Sequence, residues 1–537
     1  MNARGPFLSI LIMAFFLAGF LVGSFLSGRE HTITTTAPTT ITYTTRVTET
    51  YTQLASSQDA VLKVAIPTDI STIDIHYATG VADFEVLGNV YESLFRITYN
   101  SGRLDYVPWL VKEYVQLNET AWLFVLRDGV VFHSGDRLSA YDVKTSLERS
   151  MRLSGIGKQL LTDARGEPVV VDIVVVNNTA FVIRLREPFA PLIEHLAHLS
   201  TAIMPKSIAM KYWNGPVNST QDVVGTGPFR LESYEKGSRV ELRRFDGYWG
   251  KRPAVKNLVY LVLPDANARI SAIISGSVDV TVGVSPDIVE TLRAQGVEVL
   301  RVTGVRLVLV AVNCLRIPDA RVRQALNYAI DRDALVKELM KGYARVAMGV
   351  ASPVFPNAAT LEPYAYNVSK ARELLEEAGF VNKRLTLLVS TRSPKDMQLA
   401  QVIQQYLKAV GLDVEIVQME HTAFLKKVFR DHDFDLAIYG PSPSSLYYAL
   451  TYWRTNASLN GPQYSNPTVD ELLDRIASEV SEIRRVELYR EVQEVIWRDA
   501  PAVWLYFEDV LVATRPGVKG LQILPFQKLV LDDVHVV

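Results

Sequence analysis

The sequence predicts an α/β globular head that follows an N-terminal membrane helix and a threonine-rich linker. Three observations predict this organisation: an uncharged apolar run near the start, a stretch dominated by threonine, and short apolar strands that alternate with amphipathic helices from Val61 onward. A chain of 537 residues is long enough for about three domains. A net charge of −2 argues against nucleic-acid binding, and a single cysteine excludes an intramolecular disulfide.

The first segment, residues 1–30, is predicted to anchor the protein in the membrane. Phe7 to Leu26 is an uncharged run of 20 apolar or small residues, which spans about 30 Å as a helix. Arg4 precedes it, which favours a cytoplasmic N-terminus and export of everything that follows. A cleaved secretory signal is the alternative, but the run exceeds the apolar core of about 7–15 residues in such signals. Cleavage after Gly5, as in the pilin-like signals of archaeal surface proteins, would leave the helix in place.

Residues 31–60 are predicted to be a linker that holds the head away from the extracytoplasmic face of the membrane. Twelve of the 21 residues from Thr32 to Thr52 are threonine, a composition that cannot offset the entropy of ordering and is often O-glycosylated. The head contains five Asn-x-Ser/Thr sequons, which are candidate glycan acceptors in an exported chain: Asn118, Asn177, Asn218, Asn367 and Asn456.

The first elements of the head are predicted from local patterns. The alternating residues 61–66 before a proline are typical of a strand, and residues 122–126 of a second strand that ends at a turn. Ser139, followed three residues later by Asp142, is a capping-box signature for a helix that extends through Met151.

The second half of the head contains a predicted βαβ unit. Residues 385–390 and 414–417 have strand patterns and residues 397–410 a helical one, so the strands are expected to be parallel with a right-handed crossover. Four further elements have clear patterns: helices at 322–330, 469–480 and 482–498 and an apolar strand at 503–507.

No catalytic, metal or cofactor site is predicted. His195 and His198 share a helical face, but no third ligand or glutamate base is spaced as in a metalloprotease. Asp433 and its neighbours are better explained as charges beside a strand, and Cys314 as a core residue in an apolar run. The Gly-Thr-Gly-Pro segment at 225–228 lacks the third glycine of a dinucleotide site and is predicted to be a turn. We therefore expect the chain not to be an enzyme.

Five sets of segments along the head form motifs that occur in a fixed order and spacing. They are Tyr91-Glu92-Ser93-Leu94-Phe95; Leu126-Arg127-Asp128-Gly129-Val130-Val131-Phe132-His133-Ser134-Gly135 with Ala140-Tyr141-Asp142-Val143; Gly225-Thr226-Gly227-Pro228-Phe229 with Tyr248-Trp249-Gly250; Val322-Arg323-Gln324-Ala325-Leu326-Asn327-Tyr328-Ala329-Ile330-Asp331-Arg332; and Tyr464-Ser465-Asn466-Pro467 with Asp470-Glu471-Leu472-Leu473. Read in order, these segments resemble the extracytoplasmic solute-binding proteins of ABC importers in the oligopeptide, dipeptide and nickel class, solute-binding family 5.

The resemblance implies a two-lobed, periplasmic-binding-protein-like fold of type II with an extra subdomain inserted in lobe I. Lobe I would comprise residues 61–100, 205–312 and 508–537, the inserted subdomain 101–204, and lobe II 313–507. The resemblance also implies a monomer that closes around a solute and delivers it to membrane permease subunits served by cytoplasmic ATPases. The lipidated cysteine that usually anchors this family is absent from the N-terminus, so the membrane helix would take that role.

The cleft between the lobes would bind the ligand, and peptides are the expected ligand class. Peptide binders commonly place an aspartate in the lobe II loop after residue 439 to hold the ligand's ammonium, but residues 440–445 contain no acid. This departure argues against recognition of a free peptide N-terminus. The residues expected to bind ligand are Thr79, Gly80, Val81, Arg392, Ser442, Ser444, Tyr447 and Trp453.

Oligosaccharides are the alternative ligand. The loop is followed by four aromatic residues, Tyr447, Tyr448, Tyr452 and Trp453, which could stack on sugar rings, although some of them are expected to belong to the core of lobe II. A secreted hydrolase or a surface-layer protein is a further alternative: the hydrolase needs activated groups in the cleft, and the stalk and sequons suit the surface protein.

Overall fold

The computed structural model describes residues 60–153, 155–163 and 167–537. The predicted membrane helix at 7–26 and almost all of the linker fall outside these ranges. Within them, no helix is both long and apolar enough to cross a membrane.

The described residues form strands and α-helical segments in the following order along the chain. The strands are β1 (Val61–Ile66), β2 (Phe95–Asn100), β3 (Arg103–Pro108), β4 (Val111–Asn118), β5 (Ala121–Leu126), β6 (Val170–Asn177), β7 (Ala180–Leu185), β8 (Phe229–Glu235), β9 (Arg239–Arg244), β10 (Asn257–Val262), β11 (Val280–Val282), β12 (Glu298–Val312), β13 (Ala344–Val346), β14 (Arg384–Ser390), β15 (Asp413–Met419), β16 (Leu436–Tyr439), β17 (Ala502–Thr514), β18 (Val518–Lys519), β19 (Gln522–Ile523), β20 (Leu529–Val530) and β21 (His535–Val536). The helices are α1 (Val81–Leu87), α2 (Ala140–Arg152), α3 (Ile156–Leu160), α4 (Leu192–Leu196), α5 (Lys206–Lys211), α6 (Ala266–Ser275), α7 (Val289–Ala294), α8 (Ala320–Tyr328), α9 (Arg332–Ala334), α10 (Val368–Glu377), α11 (Pro394–Ala409), α12 (His421–Phe429), α13 (Leu446–Thr451), α14 (Pro467–Ser478) and α15 (Glu482–Asp499).

One mixed sheet connects the two halves of the head. Its order is β15-β14-β16-β12-β17-β11-β1-β10-β9-β8, with β13 paired to β17. The long strands β12 and β17 are antiparallel and belong to both halves, since Glu298 pairs with Thr514 at one end and Ala311 with Ala502 at the other. We name the half that contains β1 and β8–β11 lobe I, and the half that contains β14–β16 lobe II.

The β12–β17 ladder is interrupted midway, where the two lobes meet. Its register shifts between Thr303 and Leu307. The skipped residue Val305 donates its N–H to the carbonyl of Pro525 at 3.0 Å instead of to β17. Such an irregularity locally bends and twists a strand pair.

A second, four-stranded antiparallel sheet in the order β4-β5-β7-β6 packs with α2 beside lobe I. The predicted capping box of α2 is confirmed: the helix begins after Ser139, whose backbone N–H donates to the carboxylate of Asp142 at 2.9 Å. The interface between this sheet and lobe I contains a buried ion pair, in which Arg149 of α2 donates to Asp74 at 3.1 and 2.5 Å. Both side chains are fully buried.

The buried ion pair includes a histidine. His76 accepts from Arg149 through Nδ1 at 2.9 Å and donates through Nε2 to the carbonyl of Ala202 at 2.9 Å. Burial lowers the pKa of His76 to about 4, so the ring is neutral at physiological pH. Burial opposes ionisation of Asp74, but the Arg149 guanidinium holds its pKa below the usual value.

The predicted elements of lobe II are confirmed. Strands β14 and β15 are parallel and joined by α11, as expected for the βαβ unit. The three predicted helices are α8, α14 and α15, and the apolar run at 503–507 begins β17. Their apolar residues belong to two hydrophobic clusters, one that contains those of α14 and α15 and one that contains those of α8.

Candidate functional site

The candidate site is a cavity of about 300 Å³ between the two lobes. Lobe I contributes α1 with the residues that precede it, and the segment 524–532 around the β19–β20 hairpin. Lobe II contributes the loop after β16 and one face of α13. The residues that line the cavity include Thr79, Val81, Glu85, Arg96, Ser442, Ser444, Tyr448, Tyr452, Lys528 and Asp532.

The lobes touch each other around this cavity. Tyr106 donates its hydroxyl to the carbonyl of Ser444 at 3.2 Å, and Tyr448 of α13 donates to Gln159 at 3.1 Å. On another side, Lys395 at the start of α11 pairs with Asp287 of lobe I at 2.7 Å. The structure therefore has the lobes closed on the cavity.

Four of the eight residues predicted to bind ligand line the cavity: Thr79, Val81, Ser442 and Ser444. Residues 79–81 have few backbone donors left for a ligand, because the N–H groups of Thr79 and Gly80 both donate to Asp83, at 3.0 and 2.8 Å. Asp83 thereby caps the start of α1. Thr79 and Val81 still line the cavity.

The aromatic residues of lobe II divide between the cavity and the core. Tyr447 and Trp453 are only 8% and 4% exposed and do not line the cavity; their rings pack against Phe189 and Trp504, respectively. Tyr448 and Tyr452 line it instead. Residues four apart share a helix face, so Tyr448 and Tyr452 point together while Tyr447 points into the core.

The two remaining predicted residues, Gly80 and Arg392, are not among the residues that line the cavity. Arg392 lies away from it. It follows β14, is exposed, and its Nη1 lies 3.3 Å from Nε2 of His421. Of the other histidines that the sequence singled out, His195 is a buried packing residue, whereas His198 lines the cavity beside Phe84. Burial lowers their pKa values to about 4 and about 3, respectively. Among the described residues, no group of histidine, cysteine and acidic side chains is placed to hold a metal ion.

The cavity contains charged residues that sequence reasoning missed. Arg96 pairs with Asp532 at 2.7 Å and lies 4.4 Å from the ring centre of Trp109. Glu85 accepts from the hydroxyl of Tyr260 and the backbone N–H of Leu529, and burial raises its pKa. The sequence positions of Arg96, Lys528 and Asp532 form no recognisable motif, because the fold brings these residues together from opposite ends of the head.

The family-like motifs converge on one buried carboxylate beside the cavity. Glu92 accepts from Trp109 and Tyr248 on Oε1, both at 2.7 Å, and from Thr226 and Trp249 on Oε2, at 2.8 and 2.9 Å. The predicted turn at 225–228 passes so close to α1 that a Cβ on Gly225 would lie 2.0 Å from the carbonyl oxygen of Val90. These motifs therefore build the wall of the site.

The substitution Glu92→Gln is expected to destabilise the protein by about 2–3 kcal/mol, although it removes a buried charge. Trp109 and Trp249 donate to opposite oxygens, so either orientation of the glutamine amide places its NH₂ group against an indole N–H. Urea unfolding measures the loss. Glu232→Gln, at an exposed glutamate, is the control and should leave the unfolding free energy unchanged; an equally small effect at Glu92 would contradict the geometry.

A second buried carboxylate lies where lobe II contacts α4. Glu194 faces Ser445 and Arg485, and its Oε1 has no hydrogen-bond partner. Burial raises the pKa of Glu194 to about 8, while Arg485 and Ser445 oppose the rise.

We expect the contribution of Glu194 to the unfolding free energy to fall as pH rises from about 4.5 to about 8, because the unfolded chain releases the Glu194 proton first. The buried histidines contribute the opposite slope below about pH 6.5, so the test is the difference between Glu194→Gln and the wild type. That difference should shift in favour of the variant as pH rises, measured by urea unfolding between pH 5 and pH 9, with Glu487→Gln on the exposed face of α15 as the control. A difference that does not change with pH would contradict the raised pKa of Glu194.

Two lobes closed on a cavity between them are the arrangement expected of a solute-binding protein. The sequence model of the family described as bacterial extracellular solute-binding proteins, family 5 middle, matches residues 105–461. The chain belongs to this family, which confirms the resemblance found in the sequence. It is a substrate-binding protein of the ABC importer type, extracytoplasmic in class, and not an enzyme.

Relatives match almost the whole head. The chain is 27% identical over 500 residues to the glutathione-binding protein GsiB of Salmonella paratyphi A, covering 88% of this chain and 93% of that protein. It is 26% identical over 475 residues to the dipeptide-binding protein of Escherichia coli K12, covering 82% and 88%. The crystal structure of the ABC transporter substrate-binding protein CtaP of Listeria monocytogenes superposes with a TM-score of 0.81 at 21% identity, covering 89% and 99%. The two-lobed α/β fold is thereby confirmed.

Proposed function

We propose that the protein captures short peptides between its lobes and delivers them to the permease subunits of an ABC importer, which cytoplasmic ATPases drive. The observation that carries this proposal is the cavity of about 300 Å³ between the lobes. This volume lies at the lower end of the range of about 300–1,000 Å³ for small-molecule sites, which favours di- and tripeptides over longer ones. The names of the relatives, one for glutathione and one for dipeptides, support the same class.

The proposed division of the head follows the sequence boundaries: lobe I at 61–100, 205–312 and 508–537, the inserted subdomain at 101–204, and lobe II at 313–507. A ligand that touches Thr79 and Val81 on one side and Ser442 and Ser444 on the other makes more contacts in the closed state. It shifts the open–closed equilibrium by that difference in affinity. The closed form would be the one that docks on the permease.

We further propose that the helix at 7–26 tethers a monomeric head to the membrane through the threonine-rich linker. All five sequon asparagines are exposed, which is compatible with glycosylation. The native protein should stay with membranes through a high-salt wash; quantitative release into the wash would refute the tether.

Oligosaccharides are the second candidate ligand. The observation that favours them is the pair Tyr448 and Tyr452, whose rings lie 5.1 Å apart at the cavity wall. Aromatic faces of this kind can stack on sugar rings.

Thermal unfolding of the full-length protein against separate pools of di- and tripeptides and of oligosaccharides distinguishes the candidates. A ligand at about 100 times its dissociation constant adds roughly 2.7 kcal/mol to the unfolding free energy, which is a readily measured shift. A shift with peptides alone supports the proposal. A shift with oligosaccharides alone replaces it with the second candidate, and no shift with either pool rejects both.

A further inference from the structure

The cavity wall of lobe I carries a lysine without a contact partner. Lys528 lines the cavity, and its Nζ makes no hydrogen bond or contact ion pair with any residue in the described ranges. A lysine ammonium offers three donors and no acceptor, so an enclosed one is stabilised by an anion or by carbonyl groups.

The position of Lys528 is fixed by the fold. It follows Gln527 in the tight connection of the β19–β20 hairpin, where its own carbonyl accepts from the N–H of Leu524 at 2.8 Å. The end of α1 leaves room for the ammonium, because a Cβ on Gly88 would lie 2.8 Å from Nζ. The Lys528 ammonium therefore lies close against Gly88 at the end of α1, beside the cavity.

The carboxylates of Glu85 and Asp532, which lie near Lys528, have other hydrogen-bond or ion-pair partners. Glu85 uses both oxygens, accepting from Tyr260 at 2.7 Å and from Leu529 at 2.8 Å. Asp532 pairs with Arg96 at 2.7 Å. Burial lowers the pKa of Lys528, with Glu85 and Asp532 opposing and Arg96 adding to the effect, and an additional anion in the cavity would offset that cost.

We propose that the ligand presents a carboxylate to Lys528, with the Arg96 guanidinium on the same wall. The inference rests on the proposed peptide function and makes it more specific: the cavity anchors its ligand by a negative group on lobe I. An anchor for the ligand's carboxylate agrees with the composition of the loop at 440–445, which contains no acidic side chain to hold a ligand ammonium. The carboxylate has two possible sources, the peptide's C-terminus or an acidic side chain, which share the same chemistry.

Three matched peptide pools, tested for binding to the full-length protein by titration calorimetry, separate these sources. One pool holds di- and tripeptides of neutral residues with free C-termini, the second the same peptides as C-terminal amides, and the third amides that contain glutamate. We expect amidation of the neutral peptides to weaken binding at least tenfold. Full binding of the glutamate-containing amides would identify the side-chain carboxylate as the anchor.

The variant Lys528→Met should reduce the affinity for the carboxylate-bearing peptides to that of the neutral amides. Lys519→Met, at an exposed lysine of lobe I outside the cavity, is the matched control and should bind as the wild type does. Neutral amides that bind as tightly as free acids would overturn the inference and leave the peptide function intact. No binding by any pool would overturn both. The peptide comparison on the wild-type protein stands even if Lys528→Met fails to fold.

Discussion

Replacing Asp74 by alanine is expected to lower the unfolding free energy by about 3–5 kcal/mol, because it leaves the Arg149 guanidinium buried without its counter-ion. Arg149 is fully buried, and its remaining partners are His76 and the carbonyls of Tyr212 and Gly215. The substitution also removes the acceptor for the backbone N–H of Val217 at 2.8 Å. Several buried donors lose their partner at once.

Urea unfolding monitored by circular dichroism measures this loss. The control is Asp413→Ala, which removes an aspartate whose pairing with Arg384 is largely exposed, at 76% and 69% of their side-chain surfaces. An exposed pair of this kind contributes about 0–1 kcal/mol. Similar losses at the two positions would show that the buried pair contributes no more than a surface one.

The substitution Val81→Trp is expected to abolish peptide binding, with at least a hundredfold loss of affinity and little change in stability. Val81 is 43% exposed and lines the cavity at the start of α1. An indole at this position would fill part of the cavity of about 300 Å³ and so exclude the ligand. The fold should tolerate the larger side chain, because the position is partly exposed. Surface substitutions usually change the unfolding free energy by less than about 0.5 kcal/mol.

Calorimetric titration with the peptide pool measures the affinity of Val81→Trp, and thermal unfolding confirms that the variant is folded. Val480→Trp, between α14 and α15 and 51% exposed, introduces the same side chain away from the cavity and should bind as the wild type does. Unchanged affinity in Val81→Trp would place the ligand outside the cavity between the lobes.

Local structure could be predicted from the sequence because its determinants are local. The capping pair Ser139 and Asp142, the alternation in β1 and the strand-helix-strand pattern of β14, α11 and β15 all depend on residues a few positions apart. The family resemblance predicted the two-lobed fold and named Thr79, Val81, Ser442 and Ser444, which line the cavity, among the candidate ligand-binding residues.

The chemistry of the cavity could not be predicted in the same way. Tyr447 and Tyr448 are adjacent in sequence but face the core and the cavity, and helical spacing would have paired Tyr448 with Tyr452. Arg96 and Lys528 line the same cavity only because the hairpin β19–β20 returns to α1 in the folded protein. No pattern along the chain reports that arrangement.

The pairing of β12 with β17 governs how the head can assemble. Glu298 can pair with Thr514, and Ala311 with Ala502, only after all of lobe II has been synthesised and exported. Loop-closure entropy therefore opposes formation of the central β12–β17 ladder until late in folding. Until then β12 is an unprotected sheet edge of apolar residues, which is a template for misassociation. We expect refolding of the head to be slow and sensitive to protein concentration, with hydrogen exchange in β12 becoming protected no earlier than in β17.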